Sequence, residues 1–210
     1  MQDKTFHKRF IDISDLIQNE YDRNFKKYGD KIKCRKGCSQ CCSQIFRITK
    51  MDEAVIKEYL NELPSEVKDD LKKKAADYIS NSDRNNISNI SNISNISNIS
   101  NISNISKDEY DVKLKIPCPA LNEDGACMIY DASPVICRRF GPPVYDYKNP
   151  GKLFACELNF RNGEEIVDNE LIPKQTLIGK KWDELKTEFN KTEGLNEKAS
   201  TTIAEAILNS

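Results

Sequence analysis

The sequence predicts a mainly α-helical domain with a few short β-strands. Several segments carry apolar residues at steps of three and four, which is the spacing of one helix face. The chain has 210 residues. This length allows one good hydrophobic core but is short for two domains, because part of the sequence is low in complexity. Eight cysteines, spread over both halves of the chain, are the third feature that the fold has to accommodate.

The first predicted helix extends from about residue 4 to residue 27. Its apolar residues form one stripe that we expect to pack in the core: Phe6, Phe10, Ile13, Ile17, Tyr21 and Phe25. Gly29 and Asp30 end the helix. The cysteine-rich stretch CRKGCSQCC, from Cys34 to Cys42, follows as a loop or a broken turn.

A short strand and two further helices are predicted after this loop. The sequence QIFRIT has the composition of a strand. Thr49, with Asp52 three residues later, resembles a capping box that opens a helix to about Leu63. Pro64 ends that helix, and another with apolar residues at helical spacing begins after Ser65.

Residues 81–109 are predicted to form a disordered insert. From Asn86 to Ser106 the tripeptide Asn-Ile-Ser occurs seven times, and a period of three gives neither a helical stripe nor strand alternation. The alternatives are a glycosylated segment of a secreted protein, an added solenoid turn or an aggregation-prone tract. We expect residues 1–80 and 110–210 to form one domain that the insert interrupts, since loop-closure cost grows slowly with loop length.

The second half of the chain predicts a strand, a tight turn and a short helix. The sequence DVKLKI alternates apolar and polar residues and leads into Cys118. An Asp-Gly turn follows, so we expect Cys118 and Cys127 to face each other across a tight loop. Ser133 and Pro134 resemble the N-cap and the first residue of a short helix that bears Cys137.

Two helices complete the predicted fold. The longer one is amphipathic and carries apolar residues at helical spacing: Ile178, Trp182, Leu185 and Phe189. A small helix rich in alanine, isoleucine and leucine closes the chain.

Charge and hydropathy exclude two classes of partner. The chain has 32 basic and 33 acidic residues in short runs of mixed sign, so it lacks the one-sided basic surface that nucleic acid or anionic lipid attracts. Charges interrupt the apolar residues of the N-terminal segment, and no apolar run is long enough to cross a membrane. We therefore expect a cytoplasmic protein, in a compartment where thiols stay reduced.

In that compartment a cluster of cysteines indicates a metal ion as partner rather than disulfides, which remain the alternative if the protein is secreted without a recognisable signal. Cys34 and Cys38 are spaced to lie on one face of a helical turn, and Cys38 and Cys41 have the C-x2-C spacing of zinc ligands. The single histidine, His7, lies on the first predicted helix, so the remaining ligands should be sulfur. Sulfur ligands suit zinc, iron or an iron–sulfur cluster such as a 4Fe-4S cluster.

Seven cysteines are the candidate metal ligands: Cys34, Cys38, Cys41, Cys42, Cys118, Cys127 and Cys137. Adjacent side chains diverge, so Cys42 can serve a second metal, bridge two metals or remain a buried thiol outside the site. Cys156 is a further donor that the sequence does not assign.

The cysteines belong to a longer pattern. The spacing C-x3-C-x2-C-C from Cys34 to Cys42 is followed by Cys118-Pro119, by Gly-x-Cys-x-Ile-Tyr at residues 125–130 and by Pro-x-x-Cys-Arg at residues 134–138. This order of elements resembles the YkgJ-like cysteine-cluster family of zinc- or iron-chelating domains. The resemblance covers about residues 31–60 and 115–160. Ser133 departs from it, because arginine is common there in the family.

The resemblance implies metal chelation as the function. A related branch, the flagellin lysine N-methylases, links such a cluster to methyl transfer through an iron–sulfur centre, although this chain is shorter. Two alternatives therefore stand beside a metal-binding protein: an iron–sulfur-dependent methyltransferase or redox enzyme, and a metal-stapled adaptor whose helices bind a protein partner. The chain has no glycine-rich nucleotide loop, no HExxH motif and one histidine, which speaks against the enzyme alternative. Enzymatic activity therefore stays an open alternative.

Overall fold

A computed structural model describes residues 2–35, 37–84 and 116–210 of the chain. The described residues form helices α1 (Gln2–Tyr28), α2 (Lys50–Glu62), α3 (Ser65–Arg84), α4 (Val135–Arg139), α5 (Leu171–Thr192) and α6 (Ile203–Leu208). Two small antiparallel sheets pair β1 (Arg47–Thr49) with β4 (Ser200–Thr202), and β2 (Val144–Tyr145) with β3 (Leu153–Phe154). The prediction of a mainly α-helical fold with short strands is confirmed.

Two predicted elements fall largely outside the described residues. The strand expected in DVKLKI covers residues 111–116, of which only Ile116 is described. The predicted insert, residues 81–109, is described only to Arg84, and those first residues belong to α3. Helix α3 thus extends four residues past the boundary predicted at residue 81, and residues 85–109 lie outside the described residues.

Helix α1 packs against α5 in the first of two hydrophobic clusters. Edge-on aromatic contacts join the helices, with ring centroids 5.5 Å apart for Phe6 and Phe189 and 6.0 Å apart for Phe10 and Trp182. The predicted stripe of α1 enters the core over most of its length, but Phe25 is 41% exposed and stacks on Tyr21 instead. The expectation for Phe25 was wrong, because the part of the stripe that is buried in this cluster extends from Phe6 to Ile17.

Helix α2 lies between the two clusters. Met51 and Val55 are buried with α1 and α5, whereas Ile56 and Leu60 are buried in the second cluster. The second cluster also takes side chains from α3, α6 and the segment before α4, chiefly Leu71, Ala75, Ala204, Ile207, Ala120 and Ile129. An apolar surface on two sides of one helix requires a neighbour on each side, so α2 fixes how the two clusters are placed.

The sheet β1–β4 joins a strand that follows the first cysteine loop to one that lies close to the last residue of the sequence. Arg47 pairs with Thr202 and Thr49 with Ser200. Each strand runs straight into a helix that begins with a capping box, formed by Thr49 and Asp52 at α2 and by Thr202 and Glu205 at α6. The capping box predicted for Thr49 and Asp52 is thus confirmed, and its counterpart at Thr202 places α6 against α2 and α3.

A buried ion pair connects α1 to the loop before α5. Asp168 has a side chain that is 2% exposed, and its carboxylate lies 2.6 Å from Arg23 and 3.2 Å from Lys27. Burial opposes ionisation of this carboxyl group, but hydrogen bonds from Arg23, from the Glu170 backbone and from Lys27 outweigh it and lower the pKa of Asp168 to about 2. The pair therefore stabilises the folded protein when Asp168 is ionised.

A substitution in α5 tests the first cluster. Leu185 is fully buried, so Leu185→Ala should lower the free energy of unfolding by about 2–5 kcal/mol, through lost burial and the cavity left behind. Leu177, which is 49% exposed on the same helix, supplies the matched control. Leu177→Ala should change the free energy of unfolding by less than about 0.5 kcal/mol. Urea unfolding measures both values. Equal losses for the two variants would contradict the placement of α5.

The pKa of Asp168 predicts a dependence of stability on pH. Its folded-state pKa lies below the ordinary value of 3.8, so its contribution is present above that value and is lost as the pH falls toward about 2. The difference in unfolding free energy between the wild type and Asp168→Asn should therefore shrink across this acidic range. Asp70→Asn is the control, since it removes an exposed carboxylate paired with Lys74 and should show a smaller difference. A constant difference for Asp168→Asn would contradict the buried ion pair.

Candidate metal centre

The first cysteine loop is held in place by local backbone hydrogen bonds. Gly37 has a φ of +88°, and the Cys38 N–H donates to the Arg35 carbonyl over 2.9 Å. The helical turn expected from Cys34 to Cys38 is therefore a tight turn, because a left-handed residue interrupts it. Cys41 and Cys42 follow on a short 3-10 turn at Gln40–Ser43, where the Cys42 N–H donates to the Ser39 carbonyl over 2.9 Å.

The second cysteine loop lies directly against the first. The Cys118 N–H donates to the Cys42 carbonyl over 2.7 Å. Cys127 forms an antiparallel bridge with Leu121, and the turn between them contains Gly125 with a φ of +74°. A Cβ atom at Gly125 would lie 3.2 Å from the Gly37 carbonyl oxygen. The Asp-Gly turn predicted between Cys118 and Cys127 is present, and the two loops approach each other through glycine.

Helix α4 carries Cys137 and is positioned by Asp52. The sequence predicted Ser133 as the N-cap of this helix, but the Ser133 hydroxyl donates to the Tyr130 carbonyl instead. Pro134 occupies the N-cap position, and the Asp52 carboxylate accepts the Val135 N–H over 2.9 Å. The prediction of Ser133 as a cap was wrong, because a buried carboxylate from a distant helix satisfies the same donor.

The thiols form one continuous group around Cys41. A negative charge on Cys34 would be repelled by Cys38, Cys41 and Cys156. From the second half of the chain, Cys118, Cys127 and Cys137 all interact electrostatically with Cys41. Cys42 joins the group through a side-chain hydrogen bond with Cys41. The seven cysteines that the sequence singled out, together with Cys156, therefore lie in one region of the fold.

Most of these thiols are neither fully buried nor ionised easily. Among the eight cysteines, all of them free thiols, only Cys156 is buried. Burial raises the pKa of Cys118 to about 12, and it is also the main cause of the raised pKa values of Cys127 and Cys137. The hydrogen bond with Cys42 is the main cause of the raised pKa of Cys41. A bound cation would favour the thiolate forms, and its binding would release protons.

The donor set suits a soft metal, although its present arrangement is not that of a coordination site. Within residues 2–35, 37–84 and 116–210, no three histidine, cysteine, aspartate or glutamate side chains are arranged to hold one metal ion. Thiols nevertheless dominate the group, and thiolates favour zinc and iron over calcium and magnesium. Ligation would require the sulfur atoms of facing loops to move toward a common centre.

Two residues that the sequence did not single out control the surroundings of Cys34. Gly141 has a φ of +125°, and a Cβ atom there would lie 2.6 Å from the Cys34 sulfur. Asn159 is 5% exposed and donates from its side-chain amide to the Gly141 carbonyl over 2.7 Å and to the Cys34 sulfur over 3.7 Å. In the sequence, Gly141-Pro142-Pro143 is typical of the end of a helix and does not indicate a contact with Cys34. Nothing in the sequence around Asn159 indicates its role.

Comparison of the chain with protein-family models, curated proteins and solved structures gives no match. The likeness to the YkgJ-like family stays a prediction from the cysteine motif. Among the helices of the described residues, none has the length and apolar character required to span a membrane.

The close packing of Gly141 on Cys34 yields a prediction with an internal control. Gly141→Ala and Gly151→Ala both place a side chain at a positive φ, but nothing lies within 4 Å of a Cβ atom at Gly151. Both variants should lose stability through backbone strain, and Gly141→Ala should lose about 1–3 kcal/mol more, because its methyl group displaces the Cys34 sulfur. Thermal or urea unfolding measures the two losses. Equal values would show that the cysteine loop does not rest on Gly141.

Proposed function

We propose that this protein binds a soft metal, either zinc or iron, through thiolates from both halves of the chain. Iron would be bound as the ion or in an iron–sulfur cluster. The observation that carries the proposal is the contact between the thiol-bearing segments, residues 34–42 and 118–156. The Cys118 N–H donates to the Cys42 carbonyl over 2.7 Å, and Gly141, whose carbonyl accepts the Cys156 N–H, packs against the Cys34 sulfur. These segments are far apart in sequence, and the fold places them side by side.

Packing alone does not account for this group of thiols. A free cysteine that serves only as a small apolar residue is normally buried. Here seven of the eight cysteines are partly exposed. The first hydrophobic cluster contains no cysteine, and in the second only Cys118 and Cys127 contact its edge. A concentration of partly exposed thiols is what a thiolate metal site requires.

The donor set supports an all-sulfur site. His7, the single histidine, lies on α1 and bonds to Glu58 over 2.6 Å, away from the cysteine loops. Cys34, Cys38 and Cys156 interact electrostatically with one another, and Cys34 and Cys156 also interact with Cys41. Cys118, Cys127 and Cys137 likewise interact with one another and with Cys41, so each set is a source of ligands. This division allows one centre that shares Cys41 or two adjacent centres. Cys156 thereby joins the seven candidates chosen from the sequence.

Metal binding in this position would also stabilise the fold. The cysteine loops are joined mainly by backbone contacts, such as the bond from Cys118 to the Cys42 carbonyl. A metal held by both loops would add its binding energy to the folding energy. The thiols must be reduced to bind it, so a cytoplasmic location is part of the proposal. The resemblance to the YkgJ-like cysteine-cluster domains points to the same function.

The proposal predicts a stoichiometric metal that depends on Cys41. We expect protein purified without oxygen to contain zinc or iron, and Cys41→Ser to lose most of it, because Cys41 interacts with both groups of thiols. Elemental analysis and the visible spectrum of the same sample distinguish the metals. Iron with sulfide gives a broad band near about 400 nm, and zinc gives none.

A histidine variant is the control for this experiment. His7→Ala should keep the full metal content, since the proposed ligands are all thiolates. A wild-type protein that holds no stoichiometric metal, even after anaerobic reconstitution with zinc or with iron and sulfide, would contradict the proposal. Full metal content in Cys41→Ser would show that Cys41 is not a ligand of the metal.

A further inference from the structure

Asn159 makes contacts with both segments that flank the Cys34 thiol. Its side-chain oxygen accepts the Lys33 N–H over 2.7 Å, directly beside Cys34 in the chain. Its side-chain nitrogen donates to the Gly141 carbonyl over 2.7 Å and to the Cys34 sulfur over 3.7 Å. The two N–H groups and the oxygen of this buried amide are therefore all used, which fixes the orientation of the amide plane.

The same residue also fixes Cys156. The Asn159 backbone N–H donates to the Cys156 carbonyl over 2.8 Å. The Cys156 N–H donates over 2.9 Å to the Gly141 carbonyl, which also accepts the Asn159 amide. The Asn159 side chain thus connects Lys33 and Gly141 around the sulfur of Cys34, and backbone hydrogen bonds tie Cys156 to the same Gly141 carbonyl. A substitution that removes the amide would release the side-chain contacts with Lys33, Gly141 and Cys34 together.

We propose that Asn159 is a positioning residue that orients the Cys34 sulfur toward the other cysteines and so favours its use as a metal ligand. The proposal rests on the proposed metal-binding function. Residues that hydrogen-bond to metal ligands orient them, and their loss commonly weakens metal binding by about 10–100-fold. The amide of Asn159 donates directly to the Cys34 sulfur, so it is placed to orient this ligand.

The contact between the amide and the sulfur has a second effect. An N–H group that donates to a coordinating sulfur withdraws electron density from it, and such bonds contribute to the potentials of iron–sulfur clusters. The same withdrawal shifts the sulfur-to-metal charge-transfer band of a cobalt-substituted thiolate site to higher energy. A residue that only supported the fold would leave this band unchanged.

The test compares two buried asparagines. Asn190 is 4% exposed, and its side chain donates to the carbonyls of Asn196 and Glu197 rather than to the cysteine loops. We expect Asn159→Ala to weaken zinc binding by about 10–100-fold and to shift the cobalt charge-transfer band to lower energy. Asn190→Ala should lose stability but keep the zinc affinity and the band of the wild type. Competition with a chromophoric chelator gives the affinities.

Asn159→Asp separates the donor from the acceptor. An aspartate keeps an oxygen for the Lys33 N–H but cannot donate to the Cys34 sulfur, so it should bind zinc no better than Asn159→Ala. Wild-type zinc affinity in Asn159→Ala would overturn the inference. An equal loss of affinity in Asn190→Ala would also overturn it, because general destabilisation would then explain the effect.

A second readout keeps the inference distinct from the proposed function. If the wild-type protein binds no metal, the function fails, and the rate of Cys34 alkylation in the metal-free protein decides the role of Asn159. Asn159→Ala should then change the rate of Cys34 alkylation several-fold relative to Asn190→Ala, since the sulfur loses the amide that contacts it and favours its thiolate form. Peptide mass spectrometry assigns the modified cysteine. An unchanged rate would overturn the inference on its own.

Discussion

The buried carboxylate of Asp52 is the interaction on which the arrangement of the two halves depends. It is 2% exposed, accepts hydrogen bonds from the Thr49 backbone and hydroxyl, and accepts a third from the Val135 N–H. One side chain thus begins both α2 and α4. Burial raises the pKa of this carboxyl group, so the three donors are needed to offset the cost of placing it in the interior. Its position determines where Cys137 lies.

Helix α2 connects the two hydrophobic clusters to the cysteine loops. Helix α2 separates the clusters, and its N-terminal end holds the helix that carries Cys137. The cysteine loops themselves have little regular structure and contact each other through glycines and backbone hydrogen bonds. Their geometry therefore depends on the surrounding helices and on single polar side chains. A thiolate site built in this way takes its precision from outside the loops.

The sequence predicts those features that depend on neighbours in the chain. The spacing of apolar residues predicted the long helices. Thr49 and Asp52 predicted the start of α2, because a capping box is a contact between residues close in sequence. Features that depend on distant residues were missed. Asp52 replaces Ser133 as the cap of α4, Phe25 lacks a partner helix, and Asn159 approaches Cys34 from 125 residues away. The cysteine motif indicated a shared site for seven cysteines, and the fold shows in addition that Cys156 bonds to Gly141, which packs on the Cys34 sulfur.

The pairing of β1 with β4 has a consequence for the order in which the protein forms during translation. Residues 47–49 leave the ribosome early, yet their partner strand, residues 200–202, and the buried side chains of α6 are made some 150 residues later. The second cluster cannot close until that late segment is available. Cys156 also follows Cys34 by more than a hundred residues, so a nascent chain exposes its first thiols well before their companions exist. Cys34 therefore gains its contact with Gly141, and Cys156 its own bond to that residue, only when most of the chain has been made.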